Sequence, residues 1–394
     1  MRISSKIGCG LALALLLPAG AAHAKSKETV LYSFTGGADG SNPYGALIED
    51  SAGNLYGAAV EGGAKGYGTV FELAPDGTET VLANFTGANG SYPEAGLVMD
   101  AKGNLYGTTA DGGTGGKGTA FKVTPGGKEK VLWNFTGTDG SLPQAGLILD
   151  KNGNLYGTTV EGGANGDGTV FEVAPNGAET VLYSFGSAAN GTDGFSPLAG
   201  LMMDKKGALY GTTNEGGTST NCGGGGCGTV FRLAPHGKSW TETVLYSFTN
   251  GTDGAFPTAN LIEDKSGNLY GTTYTGGAGG DGIVFKLAPG GTETLLHTFA
   301  GTDGAQPEAG LIMDKKGNLY GTTLMGGANT YGAVFKVAPN GREKLLYSFG
   351  ADANGTDGIL PYAGLIEDKS GNLFGAAYGG GADANGAIFK ITKH

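Results

Sequence analysis

Two glutamates have the residue type and setting for acid–base chemistry. Glu94 and Glu308 each follow a proline in near-identical stretches, Ser-Tyr-Pro-Glu-Ala-Gly-Leu and Ala-Gln-Pro-Glu-Ala-Gly-Leu. Two carboxylates facing one another across a cleft could serve as acid and base on a glycosidic bond. A second set of acids sits in Gly-x-Asp-Gly, at Asp39, Asp139, Asp193, Asp253, Asp303 and Asp357, with Asn89 at the matching point of one further copy. Calcium takes several oxygen ligands, which makes Asp139, Asp193 and Asp253 candidate metal ligands. The competing reading is an Asx turn, in which the side chain bonds nearby backbone and Asn serves as well as Asp.

Cys222 and Cys227 share one loop, Asn-Cys-Gly-Gly-Gly-Gly-Cys-Gly, and in an oxidising compartment they pair most simply with each other. Zinc asks for about four ligands, and beyond residue 24 only His236, His297 and His394 are available to join them. No Gly-x-Ser-x-Gly elbow and no histidine pair at metal-binding spacing occurs, and the glycine-rich loops lead into strand-like rather than helix-like segments. No cofactor is therefore expected.

These residues recur because the chain itself recurs. Asn-Leu-Tyr-Gly-Thr-Thr, or a near copy, places its aromatic at Tyr56, Tyr106, Tyr156, Tyr210, Tyr270, Tyr320 and Phe374, at spacings of 50, 50, 54, 60, 50 and 54. Periods of this length built from short strands indicate propeller blades. In the third repeat the pattern predicts strands over 145–150, 154–159, 169–174 and 179–185, with Pro175-Asn176-Gly177 turning the last hairpin. Asp50, Asp100, Asp150, Asp204, Asp264, Asp314 and Asp368 open the other turn, Asp-x-x-Gly, in every repeat. A catalytic residue is needed once, so a residue present seven times reads as structural. The repeated Tyr and Phe positions read likewise as blade packing.

The strand count predicts how the ring closes. The outermost type, Glu-Thr-Val-Leu-Tyr-Ser-Phe, appears first over 28–34, before the first complete set of the other three strands, and is missing after the last set. The N-terminal strand is therefore expected to pair with 387–392, which removes two exposed edges. The fold class is all-β: a seven-bladed β-propeller with four antiparallel strands per blade, one domain over 25–394. Glu94 and Glu308 then fall in blades two and six, across the channel mouth from one another.

The binding face is sought where repeats grow longer. Extra residues lie between Phe185 and Asp193, Phe248 and Asp253, and Phe349 and Asp357, and between Tyr210 and Thr229, all on one face by strand alternation. Insertions in repeat proteins concentrate on the binding face. A ligand patch of Asn190, Asp193, Phe195, Asn214, Glu215, Asn221 and Phe256 around blade four is expected. Neutral drift in exposed loops is the alternative.

Residues 1–24 carry a basic lead (Arg2, Lys6), a short apolar run and Ala22-His23-Ala24, which reads as a signal peptide cleaved near Ala24. Without it the formal charge of −11 becomes −13, since two positive charges and no negative ones leave. Such a surface repels phosphate backbones, which excludes nucleic acid as a partner. No membrane span is expected, and the chain's end directly after its last strand leaves no C-terminal anchor. The protein is expected to be secreted or periplasmic and monomeric, acting as a binding or scaffold module for a glycan or a protein; the alternative is a carbohydrate-active hydrolase or lyase.

Asp-x-x-Gly-Asn-Leu-Tyr-Gly-Thr-Thr-x-x-Gly-Gly followed by Gly-Thr-Val-Phe, complete over 150–163 and 168–171, resembles the GloVer tandem repeat of bacterial surface and secreted proteins. The likeness runs through essentially the whole chain after the leader. It departs at Gly57-Ala58-Ala59 and Gly375-Ala376-Ala377, where Gly-Thr-Thr is expected. The resemblance implies an extracellular location and no particular activity.

Overall fold

The computed structural model describes residues 26–351 and 355–393. The segment read as a leader lies outside the described residues. Seven antiparallel sheets follow one another around the ring, each containing a four-strand meander from channel to rim. Blade three shows the pattern, with Ile148–Leu149 innermost, then Leu155–Thr159, Thr169–Val173 and Glu179–Ser184. Among the described residues there is no α-helix, only a three-residue 3-10 turn at Ala189–Gly191.

Closure occurs as the strand count required. Lys27–Ser33 pairs antiparallel with Ala387–Thr392, from Lys27 opposite Thr392 to Ser33 opposite Ala387, and completes blade seven. The innermost strands differ from expectation. The segment read as a strand over 145–150 keeps only two ladder residues, Ile148 and Leu149; Ala145 and Leu147 are buried and, with their counterparts in other blades, line the central channel. Blade one instead gains a short extra strand, Ser41–Pro43, against Leu55–Glu61.

The blades are joined by phenylalanines. Each outer strand ends in a fully buried Phe that meets the Phe of the next blade's third strand edge to face: Phe34 with Phe71 at 5.2 Å, Phe85 with Phe121 at 5.0 Å, and so on to Phe349 with Phe389 at 4.9 Å. Such pairs add about 0.5–1.5 kcal/mol each beyond their area burial. The glycine of Leu-Tyr-Gly makes room for this layer. A Cβ at Gly157 would lie 2.6 Å from Phe171 Cζ and 2.7 Å from Leu147 Cδ2.

The Asp-x-x-Gly aspartates are structural, as their sevenfold repetition implied. In every blade one carboxylate oxygen accepts the backbone N–H groups two and four residues on, as Asp50 does from Ala52 at 2.8 Å and Asn54 at 2.9 Å. The other oxygen usually takes the repeated tyrosine's hydroxyl, as in Tyr106 to Asp100 at 3.0 Å.

Candidate functional site

Residues following the repeated prolines stand where the inner strands open onto one face. Tyr44, Glu94, Thr258, Glu308 and Tyr362 line both the central channel and a wide cavity of about 890 Å³ at its mouth. Above them the wall is built from the ends of second strands, which supply Glu61, Asn214, Tyr274 and Tyr378, and from residues preceding the prolines, Tyr92 and Phe256. A concave site of this size, with aromatic walls and a few convergent polar groups, is what small ligands use.

The backbone that presents these side chains is strained in a repeating way. The residue before each proline has a left-handed conformation: Asn42, Tyr92, Leu142, Ser196, Phe256, Gln306 and Leu360 all have φ between 54° and 58°. For a residue with a Cβ this costs about 1–2 kcal/mol, and a following proline narrows the choice further. Hydrogen bonds to both neighbouring blades hold it. Phe256 N donates to Cys227 O at 2.9 Å while its carbonyl accepts from Tyr274 N at 3.0 Å. The chain contains 80 glycines yet places none at these seven points. At Tyr92 and Phe256 the side chain so retained lines the cavity.

Inside the mouth, aromatic rings and carboxylates meet without a base. Tyr44 and Tyr362 stack at 4.6 Å, and Tyr378 meets Tyr362 edge to face at 5.4 Å. Glu308 accepts the Tyr44 hydroxyl at 3.2 Å and Glu94 accepts Gln144 Nε2 at 2.7 Å. Burial pushes both glutamates above the usual carboxylate range, and Asp111 adds to the effect on Glu94. Burial, then the Glu308 charge, pushes up the phenols of Tyr44, Tyr274 and Tyr362. Burial does the same at Tyr378, followed by the charges of Glu61 and Glu94. Among the described residues, no Lys, Arg or His lines the cavity.

The Gly-x-Asp-Gly carboxylates are engaged by protein donors. Asp139 accepts from Trp133 Nε1 and from the Thr136 N–H and hydroxyl, and Asp253 from Tyr246 and from the Thr249 N–H and hydroxyl. Asp193, buried, accepts from Tyr183 and from the Ser187 N–H and hydroxyl. Among the described residues no group of three or more His, Cys, Asp or Glu could hold a metal ion.

Each of these turns faces a glutamate on the outer strand of the next blade. Burial, then the facing Asp39, Asp139, Asp193, Asp253 and Asp303 respectively, raises Glu79, Glu179, Glu242, Glu293 and Glu343 to about 7. One oxygen of each of these five glutamates is buried with no hydrogen-bond partner. In the copy with Asn89, the amide donates to Glu129 at 3.2 Å. That copy also has Ala83 where the others have Tyr, Trp or His, so the aromatic donor and the aspartate are exchanged together.

The patch expected around blade four divides. Asn214 and Phe256 are in the cavity wall. Phe195 and Glu215 bridge by paired backbone hydrogen bonds of 3.1 and 3.2 Å, Asn221 donates to Thr249 O at 2.8 Å, and Asn190 occupies a left-handed turn position. Asp193 is committed to its own turn. Cys222 and Cys227 form a disulfide with Cα atoms 5.4 Å apart, and the Cys227 carbonyl anchors Phe256, so this loop buttresses the mouth. Sequence reasoning passed over Tyr44, Tyr274, Tyr362 and Tyr378. Their signal was present: each occupies a position that varies between repeats, beside a proline or just beyond Gly-Thr-Thr or the Gly-Ala-Ala that replaces it.

Residues 21–224 and 217–394 match the Gloeobacter/Verrucomicrobia repeat. No curated protein matches the chain. Among solved structures, the extracellular domain of a candidate one-component system from B. thetaiotaomicron is similar at TM-score 0.56 and 11% identity, over 93% of this chain and 40% of that one. A candidate 6-phosphogluconolactonase from Bacteroides uniformis is similar at TM-score 0.52 and 17% identity, over 82% and 88%. A gluconolactonase from Xanthomonas campestris is similar at TM-score 0.46 and 15% identity, over 77% and 87%. At these identities the likeness is one of fold.

Proposed function

The chain belongs to the Gloeobacter/Verrucomicrobia repeat family, and we propose that it is an extracellular binding module that takes a glycan into the mouth of its propeller. The observation that carries this reading is the stacked Tyr44–Tyr362 pair with Tyr378 edge-on, set beside two half-buried carboxylates, each with one side-chain hydrogen bond among the described residues. Sugar rings present C–H faces to aromatic planes and hydroxyls to carboxylates. An acidic, base-free wall turns away phosphorylated and carboxylated ligands. For that reason the 6-phosphogluconolactonase name of the Bacteroides uniformis neighbour does not carry over. Glu94 and Glu308 act here as hydrogen-bond acceptors. The disulfide fits an oxidising compartment outside the cytoplasm.

The test is calorimetric titration of the protein lacking residues 1–24 with neutral gluco-, manno- and galacto-oligosaccharides, alongside Tyr362→Ala and Tyr378→Ala. Binding that weakens about tenfold in each variant, consistent with about 1.4 kcal/mol for a lost aromatic face, supports the mouth as the site. Binding that both variants leave unchanged moves the site to the blade-four loops. No binding by any oligosaccharide removes the glycan reading.

A further inference from the structure

Outside the mouth, this fold repeatedly places a cation over an aromatic ring beside a carboxylate. Lys122 lies over Tyr106 at 5.3 Å, with the Tyr106 hydroxyl on Asp100. Lys286 over Tyr270, Lys336 over Tyr320 and Arg232 over Tyr210 repeat the arrangement at 5.8–6.0 Å. Each phenol there bonds the Asp-x-x-Gly aspartate, so ring face, carboxylate and cation form a neutralised set. The mouth holds the first two members of that set in greater density and lacks the third. Glu61, Glu94 and Glu308 stand among five tyrosines and a phenylalanine, with no Lys, Arg or His in the wall among the described residues.

The donors that Glu94 and Glu308 do have, Gln144 and Tyr44, are neutral. A neutral donor satisfies one lone pair and leaves the charge uncompensated in a partly desolvated site. An ammonium group would neutralise the carboxylates and lie against ring faces whose quadrupole attracts cations.

We propose that the glycan accepted by this mouth carries free amino groups: an oligosaccharide of 2-amino sugars without N-acyl substitution, its ammonium groups set between Glu94 and Glu308 and against Tyr362. This rests on the reading of the mouth as a glycan site and assigns the ligand's charge. It also accounts for a wall that mixes stacking surfaces with acids and excludes bases.

The experiment compares two trisaccharides of one skeleton, triglucosamine and tri-N-acetylglucosamine, by calorimetry at a pH where the amines are protonated, with and without added salt. The expected result is at least tenfold tighter binding of triglucosamine, an advantage that salt reduces. In Glu94→Gln and Glu308→Gln the ratio of triglucosamine affinity to tri-N-acetylglucosamine affinity should shrink about tenfold. Both variants remove a desolvated charge, so their melting temperatures should hold, and the wild-type comparison stands without them. Equal or tighter binding of the acetylated trisaccharide overturns the amino-sugar assignment and leaves the glycan reading intact. Full discrimination retained in both glutamine variants also overturns it. Failure of both trisaccharides and of every neutral oligosaccharide overturns the two readings together.

Discussion

Raising the pH from 5 to 8 should destabilise this propeller, and the carboxyl pairs between neighbouring outer strands set the size of the effect. Glu79, Glu179, Glu242, Glu293 and Glu343 each face an aspartate of the preceding turn; burial and that aspartate raise them from 4.5 to about 7. A folded-state pKa above the unfolded one means that the folded protein holds the extra protons. The stability they confer is complete below pH 4.5 and is lost as pH rises through 7. Moving a carboxyl from 4.5 to about 7 corresponds nominally to about 3.4 kcal/mol per group. These glutamates are partly exposed, however, and solvent screening reduces the contribution to about 0.5–1 kcal/mol each. Five together lose about 3–5 kcal/mol. With an unfolding entropy of about 2.1 cal/mol/K per residue over the whole ring, the melting temperature should fall by about 4–6 °C. Glu94 and Glu308 titrate in the same direction. Differential scanning calorimetry at pH 5, 6, 7 and 8 and constant ionic strength measures the fall. A variant with all five glutamates changed to Gln should flatten it, because an amide can donate to the aspartate as Asn89 does to Glu129. A melting temperature that is constant or rises from pH 5 to 8, or an undiminished slope in the glutamine variant, would refute the reasoning.

Phe34, fully buried between blades seven and one, anchors the closing strand, so Phe34→Ala should cost about 3–5 kcal/mol in guanidinium unfolding; a cost under about 1 kcal/mol would mean that closure does not depend on it. Gly157→Ala drives a Cβ against Phe171 and Leu147 and should cost about 1–3 kcal/mol by overpacking, whereas Gly166→Ala, at a site open to solvent, has only its positive φ to resist it. Replacing Cys222 and Cys227 by Ser should cost about 2 kcal/mol or less, given the short loop, while weakening ligand binding through Phe256; unchanged affinity would show that the Cys227 carbonyl holds Phe256 without the disulfide. Asn89→Asp should raise the Glu129 pKa further, read by carboxyl carbon NMR, and a fall would contradict the pairing of the two side chains.

What the sequence determined alone lies within or along single repeats. The period, the four-strand meander and the Asp-x-x-Gly turns rest on residues a few positions apart, so local propensity and turn chemistry suffice to read them. Ring closure followed from counting strands, since an unpaired first copy and a missing last one have one economical solution. The same counting brought Glu94 and Glu308 to the mouth. The tertiary structure alone decided what stands beside them. Tyr44 and Tyr362 belong to opposite ends of the chain and stack only because blade seven closes against blade one. The glutamate–aspartate pairs join residues about forty positions apart across a blade boundary, and their existence depends on how one twisted sheet lies on the next. The innermost strands keep only two ladder residues, a length that periodicity does not show. Hydrophobic pattern and turn residues encode each blade; the charge and shape of the mouth arise from side chains that differ between blades, and only the closed ring brings those differences into contact.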